Sequence, residues 1–358
     1  MSLQQFIYEL YQIASIYYFF RFRTKIFLIL QKKTSFIISH EKVTFIKNNE
    51  MKKKEKCLFV NLNKSLDKLL TRSKISDKYQ IVFHKDLDLK DKEITCYIKE
   101  FNIKVVVFEK TQLNQLSNNE VSELVNLRLL GVEIYDSESF YEIVNKRTPI
   151  IKIQDNQYFS DEIFSLKRKR RLTFFKRGFD VLFSLLMMPF VFPLIILGCF
   201  LTKISSKGNV FYSQIRIGRG GEEFKIYKIR TMRNNDGGFT VKNDNRITPV
   251  GKFLRLSKID ELPQFYNIIK GDMSLIGPRP EQPRYVKEYC TENPFFNLRH
   301  MIRPGVSGWA QIHMPKATPE ENLIKLEYDL YYIKKYSWKL DIKILLKTIQ
   351  IVFTMNSN

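Results

Sequence analysis

The chain has 358 residues, 44% of them hydrophobic, and its 59 Lys and Arg against 37 Asp and Glu leave a net charge of +22. That length holds two domains of ordinary size, and the charge points to an anionic partner: nucleic acid, an acidic membrane surface or a phosphorylated substrate. Cys57, Cys96, Cys199 and Cys290 stand singly and there are only four histidines, which excludes a disulfide framework and a zinc cluster and leaves oxygen as the ligand for any metal.

In chain order, residues 6–30 are rich in Ile, Tyr, Phe and Leu but carry Glu9, Arg21, Arg23 and Lys25. The charge-free run 10–20 has 11 residues, short of the roughly 20 that a spanning helix needs. It has neither the basic start nor the cleavage site of a signal peptide. Residues 1–50 therefore read as an apolar and basic segment forming an interfacial helix, with a single spanning helix as the alternative.

The pattern changes over 56–150. Apolar, β-branched runs at 57–60, 81–83, 105–108 and 132–135 alternate with helical stretches such as 65–70 and 121–129. Such alternation predicts a small doubly wound, Rossmann-like α/β module. After the first strand comes Val60-Asn61-Leu62-Asn63-Lys64, without glycine, so a docking or regulatory module fits better than a dinucleotide site.

Residues 151–177 read as a basic linker ending in Lys167, Arg168, Lys169, Arg170, Arg171, Lys176 and Arg177. An uncharged apolar run of 21 residues, 181–201, follows, enough for about 31 Å of helix. Lys203 and Lys207 close it, so both flanks are basic and both favour the cytoplasmic side. Pro189 and Pro193 fall mid-run, where each removes a backbone hydrogen bond. A helix that enters, breaks and returns accounts for both facts; a kinked spanning helix is the alternative. The basic run 167–171 also suits a nucleic-acid binder, but it abuts the apolar segment, where cytoplasmic basic residues are expected anyway.

Residues 178–358 carry the chemistry. Arg216, Gly218, Gly220 and Gly221 precede Lys228 and Arg230, a combination suited to phosphate oxygens and equally to a basic surface hairpin. Arg255 precedes the adjacent carboxylates Asp260 and Glu261, and Arg279, Arg299 and Arg303 follow on Gly/Pro-rich turns. Adjacent acids on a solvated helix are common. An acidic pair among several arginines nonetheless suits phosphoryl transfer, with carboxylate as nucleophile or metal ligand and guanidinium groups on the phosphates. Leu340, Ile344, Leu345, Ile349 and Val352 suggest a C-terminal amphipathic helix, on membrane or in a core.

Residues from Phe175 onward resemble the bacterial sugar transferase family, the monotopic polyprenol phosphate phosphoglycosyl transferases that prime exopolysaccharide and lipopolysaccharide synthesis. The strings are Lys176-Arg177-Gly-Phe-Asp180, Ser206-Lys207-Gly208, Lys228-Ile-Arg230-Thr-Met, Asp260-Glu261-Leu-Pro-Gln, Gly277-Pro-Arg-Pro and Pro304-Gly305-Val-Ser-Gly-Trp-Ala-Gln311. They occur in the family's order and cover about half the chain. The resemblance implies a membrane-associated α/β protein: the Rossmann-like module, then a re-entrant helix with a mainly helical α+β catalytic domain. It implies a break at Pro193, though Phe192 stands where many members have serine.

The resemblance also implies that Asp260 attacks the β-phosphate of a UDP-sugar, releasing UMP, and that undecaprenyl phosphate takes the phosphosugar, initiating exopolysaccharide, O-antigen or glycoconjugate assembly. Asp260 and Glu261 would hold Mg2+, and Lys228, Arg230, Arg255, Arg279 and Arg303 would bind phosphate. The expected location is the bacterial inner membrane, with the catalytic domain on the cytoplasmic face. The expected partners are UDP-sugar, polyprenol phosphate and membrane lipid, with no nucleic acid; a homo-oligomer is compatible. Two departures stand near the site: Ile229 replaces a usual phenylalanine, and Lys258 a common serine.

Overall fold

The computed structural model describes residues 43–45, 54–60, 75–84, 93–113, 116–150, 170–233, 244–315 and 321–354. The helices expected within 6–30 and at 65–70 lie outside them.

The N-terminal unit is a five-stranded sheet of β1 (Val43–Phe45), β2 (Glu55–Val60), β3 (Tyr79–His84), β4 (Ile103–Phe108) and β5 (Glu133–Asp136), in the order β1-β3-β2-β4-β5. Neighbours run parallel except β1, which pairs antiparallel with β3. The sheet thus recruits a strand from upstream of the expected start at 56. Alternation along β2 divides its side chains between two cores. Leu58 and Val60 pack with Ile94 and Ile98 of α1 (Glu93–Glu100) and with Leu124 and Leu127 of α2 (Asn118–Leu129). Cys57 and Phe59 face Phe140 and Tyr141 of α3 (Ser137–Asn145). Burial on both faces is why these strands read as continuous apolar runs.

Helix α3 also ties the unit to the rest of the chain. The Tyr141 hydroxyl donates to Glu327 Oε2 at 2.9 Å, Lys334 Nζ reaches Glu142 at 2.5 Å, and Trp309 Nε1 donates to the Lys146 carbonyl at 2.8 Å.

Helix α4 (Arg170–Ser205) has 36 residues and contains both prolines. It already includes 170–177, the end of the expected linker, because nothing before Gly178 breaks a helix there. Its outer surface is apolar and open: Leu182, Leu186, Phe190, Phe192, Ile196 and Phe200 are each more than half exposed. Only 17% of its most apolar window is buried, so this is no core helix of a soluble domain. A narrow seam of Asp180, Ser184, Val191, Gly198 and Thr202 is buried.

The C-terminal unit packs around that seam. Strands β6 (Phe211–Ile217) and β7 (Glu223–Ile229) form a hairpin, and β8 (Ser274–Ile276) and β9 (Gly305–Ser307) a short parallel pair. Around them lie α5 (Pro249–Leu256), α6 (Gln264–Lys270), α7 (Pro283–Glu292), α8 (Trp309–His313), α9 (Asn322–Lys334) and α10 (Trp338–Phe353). Ile268, Met273, Trp309, Leu330 and Ile344 centre the core. In α10, Ile344 is fully buried with Leu340 and Leu345 packed beside it, while Ile342, Leu346 and Ile349 stay exposed. That helix therefore serves the core with one face and presents an apolar stripe with the other. The crossing of β8 and β9 depends on glycine: a Cβ on Gly305 would lie 2.0 Å from the Gly277 nitrogen.

Candidate active site

The acidic pair sits on a turn that the chain reaches through strain. Helix α5 ends at Leu256, and Lys258 then takes a left-handed conformation (φ 58°) that opens a 3-10 turn, Ile259–Glu261. A lysine there costs about 1 kcal/mol, a cost that persists only where surrounding contacts enforce it. Both carboxylates are buried, Asp260 at 6% and Glu261 at 8% exposure.

Their environments differ. Glu261 Oε1 receives Lys228 Nζ at 2.6 Å and Arg279 Nη2 at 2.6 Å. Burial alone would raise its pKa, but Arg279, Lys228 and Lys258 outweigh burial and hold it well below the usual carboxylate range. Asp260 Oδ1 is buried and meets no hydrogen-bond donor among the described residues. Burial first, and the Glu261 charge second, push Asp260 up, against the pull of Lys228, Lys258 and Arg255. One carboxylate has two cations on a single oxygen. The other keeps a buried oxygen that meets no donor.

The cations come from separate elements. Lys228 is near the end of β7, next to the edge where α6 docks through Asn267. Arg255 donates from Nε to Thr231 Oγ1 at 2.8 Å. That bond depends on α5 lying tight against the chain after β7: a Cβ on Gly251 would fall 2.0 Å from the Thr231 carbonyl oxygen. Arg279 follows β8, and its own carbonyl is held by Arg299 Nη2 at 2.8 Å. Arg299 also pairs with buried Asp329 at 2.7 Å; burial raises Asp329 to about 6 even against the arginine.

Glu261 and Arg279 open into a cleft of about 540 Å³, whose polar side adds Arg216, Lys258, Arg299 and Lys325 and the acids Glu281 and Asp329; Asp260, Lys228 and Arg255 lie behind Glu261, outside its lining. Ile312, Met314, Ile351 and Val352 line its apolar side. The volume falls within the range of small-ligand sites, roughly 300–1,000 Å³. A polyanion with an apolar or aromatic part matches this lining.

Of the seven residues expected at the site, five gather there: Asp260, Glu261, Lys228, Arg255 and Arg279. Two are engaged elsewhere. Strand β7 ends at Ile229, and Arg230 then turns to the residues just past α4, where Nη1 donates to the Lys207 carbonyl at 2.7 Å and Nη2 to the Ser206 carbonyl at 2.8 Å. It sits at the C-terminal end of the helix, where a cation is favoured. Arg303 Nε donates to the Gly271 carbonyl at 2.9 Å and lines a separate cavity beside α4. Pro193 lies within α4 and is exposed. Among residues that sequence reasoning left without a role, Lys325 and Asp329 enter the network one turn apart on α9. Only their four-residue spacing on a helix hinted at a shared face.

For a metal, the described residues offer no group of three or more His, Cys, Asp or Glu. The unpartnered Asp260 oxygen beside Glu261 fits magnesium, which takes one or two carboxylates and completes its shell with water and substrate phosphates.

The profile of the bacterial sugar transferase family matches residues 171–355. A UDP-N-acetylgalactosamine-undecaprenyl-phosphate N-acetylgalactosaminephosphotransferase of Aeromonas hydrophila is 41% identical over 236 residues, 64% of this chain and 55% of the relative. A UDP-glucose:undecaprenyl-phosphate glucose-1-phosphate transferase of Klebsiella pneumoniae is 39% identical over 182 residues, 49% of this chain and 39% of the relative. An undecaprenyl-phosphate galactose phosphotransferase of Salmonella typhimurium is 31% identical over 242 residues, 62% of this chain and 47% of the relative. The chain thus spans about half the length of these relatives.

Proposed function

The chain belongs to the bacterial sugar transferase family, and from that premise we propose that it transfers a sugar 1-phosphate from a UDP-sugar to undecaprenyl phosphate, releasing UMP. The observation that carries this reading is the asymmetric acid pair: Glu261 bound by Lys228 and Arg279, and Asp260 with a buried oxygen that meets no donor among the described residues.

A carboxylate attacks a polyanion only where nearby positive charge cancels the repulsion. In this reading Asp260 attacks the β-phosphorus; the bond to the bridging oxygen breaks and UMP departs with that electron pair. The aspartyl phosphosugar is then attacked by a phosphate oxygen of the polyprenol phosphate, which frees Asp260. Arg279 and Lys228 keep Glu261 ionised and fix the turn, and Arg255 adds charge beside Asp260. Asp260 and Glu261 would hold Mg2+, which supplies charge neutralisation of the diphosphate when bound. A covalent intermediate lets a water-soluble donor and a lipid acceptor react in turn at one surface.

The membrane assignment extends to a re-entrant α4 in the inner membrane, with the catalytic unit on the cytoplasmic face. Support comes from where the two ends of α4 bind. Arg177 donates to the Ile268 and Ile269 carbonyls. Twenty-one positions later, Gly198 abuts Ile229 and Ile259. A straight helix would hold those two points about 31 Å apart, yet Ile259 and Ile268 are joined by only a 3-10 turn and most of the short helix α6. Pro193 is the point of bending in this reading. The three relatives carry three different sugars in their names, so the donor sugar is left to experiment.

The test uses the full chain in nanodiscs with undecaprenyl phosphate, magnesium and a panel of UDP-sugars, reading released UMP. Release that requires the lipid and one sugar supports the reading. Silence across the panel, with folded protein, removes it.

A further inference from the structure

We infer that the cavity between the N-terminal part of α4 and the catalytic unit is a second phosphate-binding site, which takes a phosphate group at the membrane surface apart from the transfer centre. The cavity has about 260 Å³ and is lined by Lys176, Arg177, Arg219 and Arg303 around Asp180, with Tyr336 beside them; the Ser274 hydroxyl, also in the lining, donates to the Ile276 carbonyl. The transfer cleft shares none of these residues.

The charge balance favours an anion. Lys176 is matched by Asp341 at 2.7 Å. Arg177 and Arg303 are anchored on the neutral carbonyls of Ile268, Ile269 and Gly271 at the end of α6. Those bonds fix the guanidinium groups, neither of which forms an ion pair among the described residues, and they use fewer than half of each fork's five donors. Arg219, exposed on the β6–β7 turn, adds a third positive charge, and Asp180 is the single carboxylate in the lining. Burial and then the nearby Arg177 and Arg219 lower the pKa of Arg303, the mark of crowded like charges that a dianion would relieve. Bidentate guanidinium groups suit phosphate oxygens.

Position suggests where the phosphate comes from. Phe174 and Phe175 are 77% and 64% exposed, one turn or less from Lys176 and Arg177. An apolar surface thus starts directly beside two of the cavity's lining residues, as a lipid with a phosphate head and an acyl tail would require. Soluble phosphate offers the same head without the tail.

The experiment is a set of isothermal titrations of the full chain in dodecyl maltoside. The ligands are dioctanoyl phosphatidic acid, dioctanoylglycerol and inorganic phosphate, with no sugar nucleotide present, so the result stands apart from the transfer reaction. Phosphatidic acid is expected to bind at least tenfold more tightly than either other ligand. Arg219→Gln and Arg303→Gln should each weaken it about tenfold, with Arg303→Lys intermediate. Equal binding of inorganic phosphate and phosphatidic acid, weakened in the same variants, would support the site with soluble phosphate as its source. Dioctanoylglycerol binding as well as phosphatidic acid would overturn the proposal. So would loss of binding in Arg279→Gln with none in folded Arg219→Gln and Arg303→Gln, because the transfer cleft would then be the binding place.

Discussion

Two cavities flank the stretch from Arg299 to Arg303, and both are lined with cations, but those cations are bound to different things. At the transfer cleft Arg279, with Lys228 from behind, converges on Glu261, and Arg299 on Asp329. Charge there is paired internally, and one oxygen of Asp260 is left over. Beside α4, Arg177 and Arg303 rest on backbone carbonyls instead. A guanidinium on a carbonyl is positioned without being neutralised; one on a carboxylate is positioned and neutralised together. The first arrangement waits for an anion, while the second tunes a carboxylate.

The comparison breaks most directly at Asp260. Asp260→Asn keeps the shape of the turn and removes the nucleophile, so UMP release should fall at least about 10³-fold; full activity in that variant would discard the transfer mechanism. Arg279→Gln leaves Glu261 with Lys228 alone, and kcat/KM should drop about 10²-fold, in line with loss of one preorganised charge. The same measurement on Arg219→Gln, on the other side of the stretch, should show a smaller loss if the two cavities have separate tasks.

His300 lies between the two cavities, buried, with Arg299 on the cleft side and Met301 to Arg303 beside α4. Burial, and secondly Arg299, lower its pKa to about 4. An unfolded histidine titrates near 6.5, so below that pH the unfolded state takes up a proton that the folded state refuses. The His300 contribution to stability is thus full above about 6.5 and drains away as pH falls towards 4. Between pH 7 and 5 that contribution falls by about 2 kcal/mol while the raised carboxyls of Asp260 and Asp329 pull the other way, so it is read as a difference: the wild type should lose about 2 kcal/mol relative to His300→Gln over that range, measured from melting temperatures in detergent. The smallest effect is expected at Arg230, which sits at the C-terminal end of α4 rather than serving either cavity. Arg230→Gln should cost about 1 kcal/mol of stability and far less activity than Arg279→Gln.

Much of this was legible along the chain. The apolar runs of β2, β3, β4 and β5 and the uncharged run inside α4 announce themselves because strand burial and membrane insertion act on consecutive residues. The pair Asp260 and Glu261 stood out because two acids in a basic stretch need a reason. The edge strand Val43–Phe45 did not stand out, since three residues carry too little pattern. The basic residues 170–177 read as linker, yet they belong to α4, because charge alone does not end a helix.

Sorting of the arginines was beyond reach of the sequence. Lys228 and Arg230 are two apart and would share a face if β7 continued, but the strand ends between them and sends one to the acid pair and the other to the end of α4. Arg279 and Arg303 both sit on Gly/Pro-rich turns, yet one meets Glu261 and the other the Gly271 carbonyl. The sequence by itself determined the element types, the membrane helix and the chemistry available, all set by local composition and period. Which cation meets which anion was decided only by the tertiary structure. A side-chain charge acts over a few ångströms in space, and the close approaches at Gly251, Gly277 and Gly305 set those distances between segments far apart in the chain.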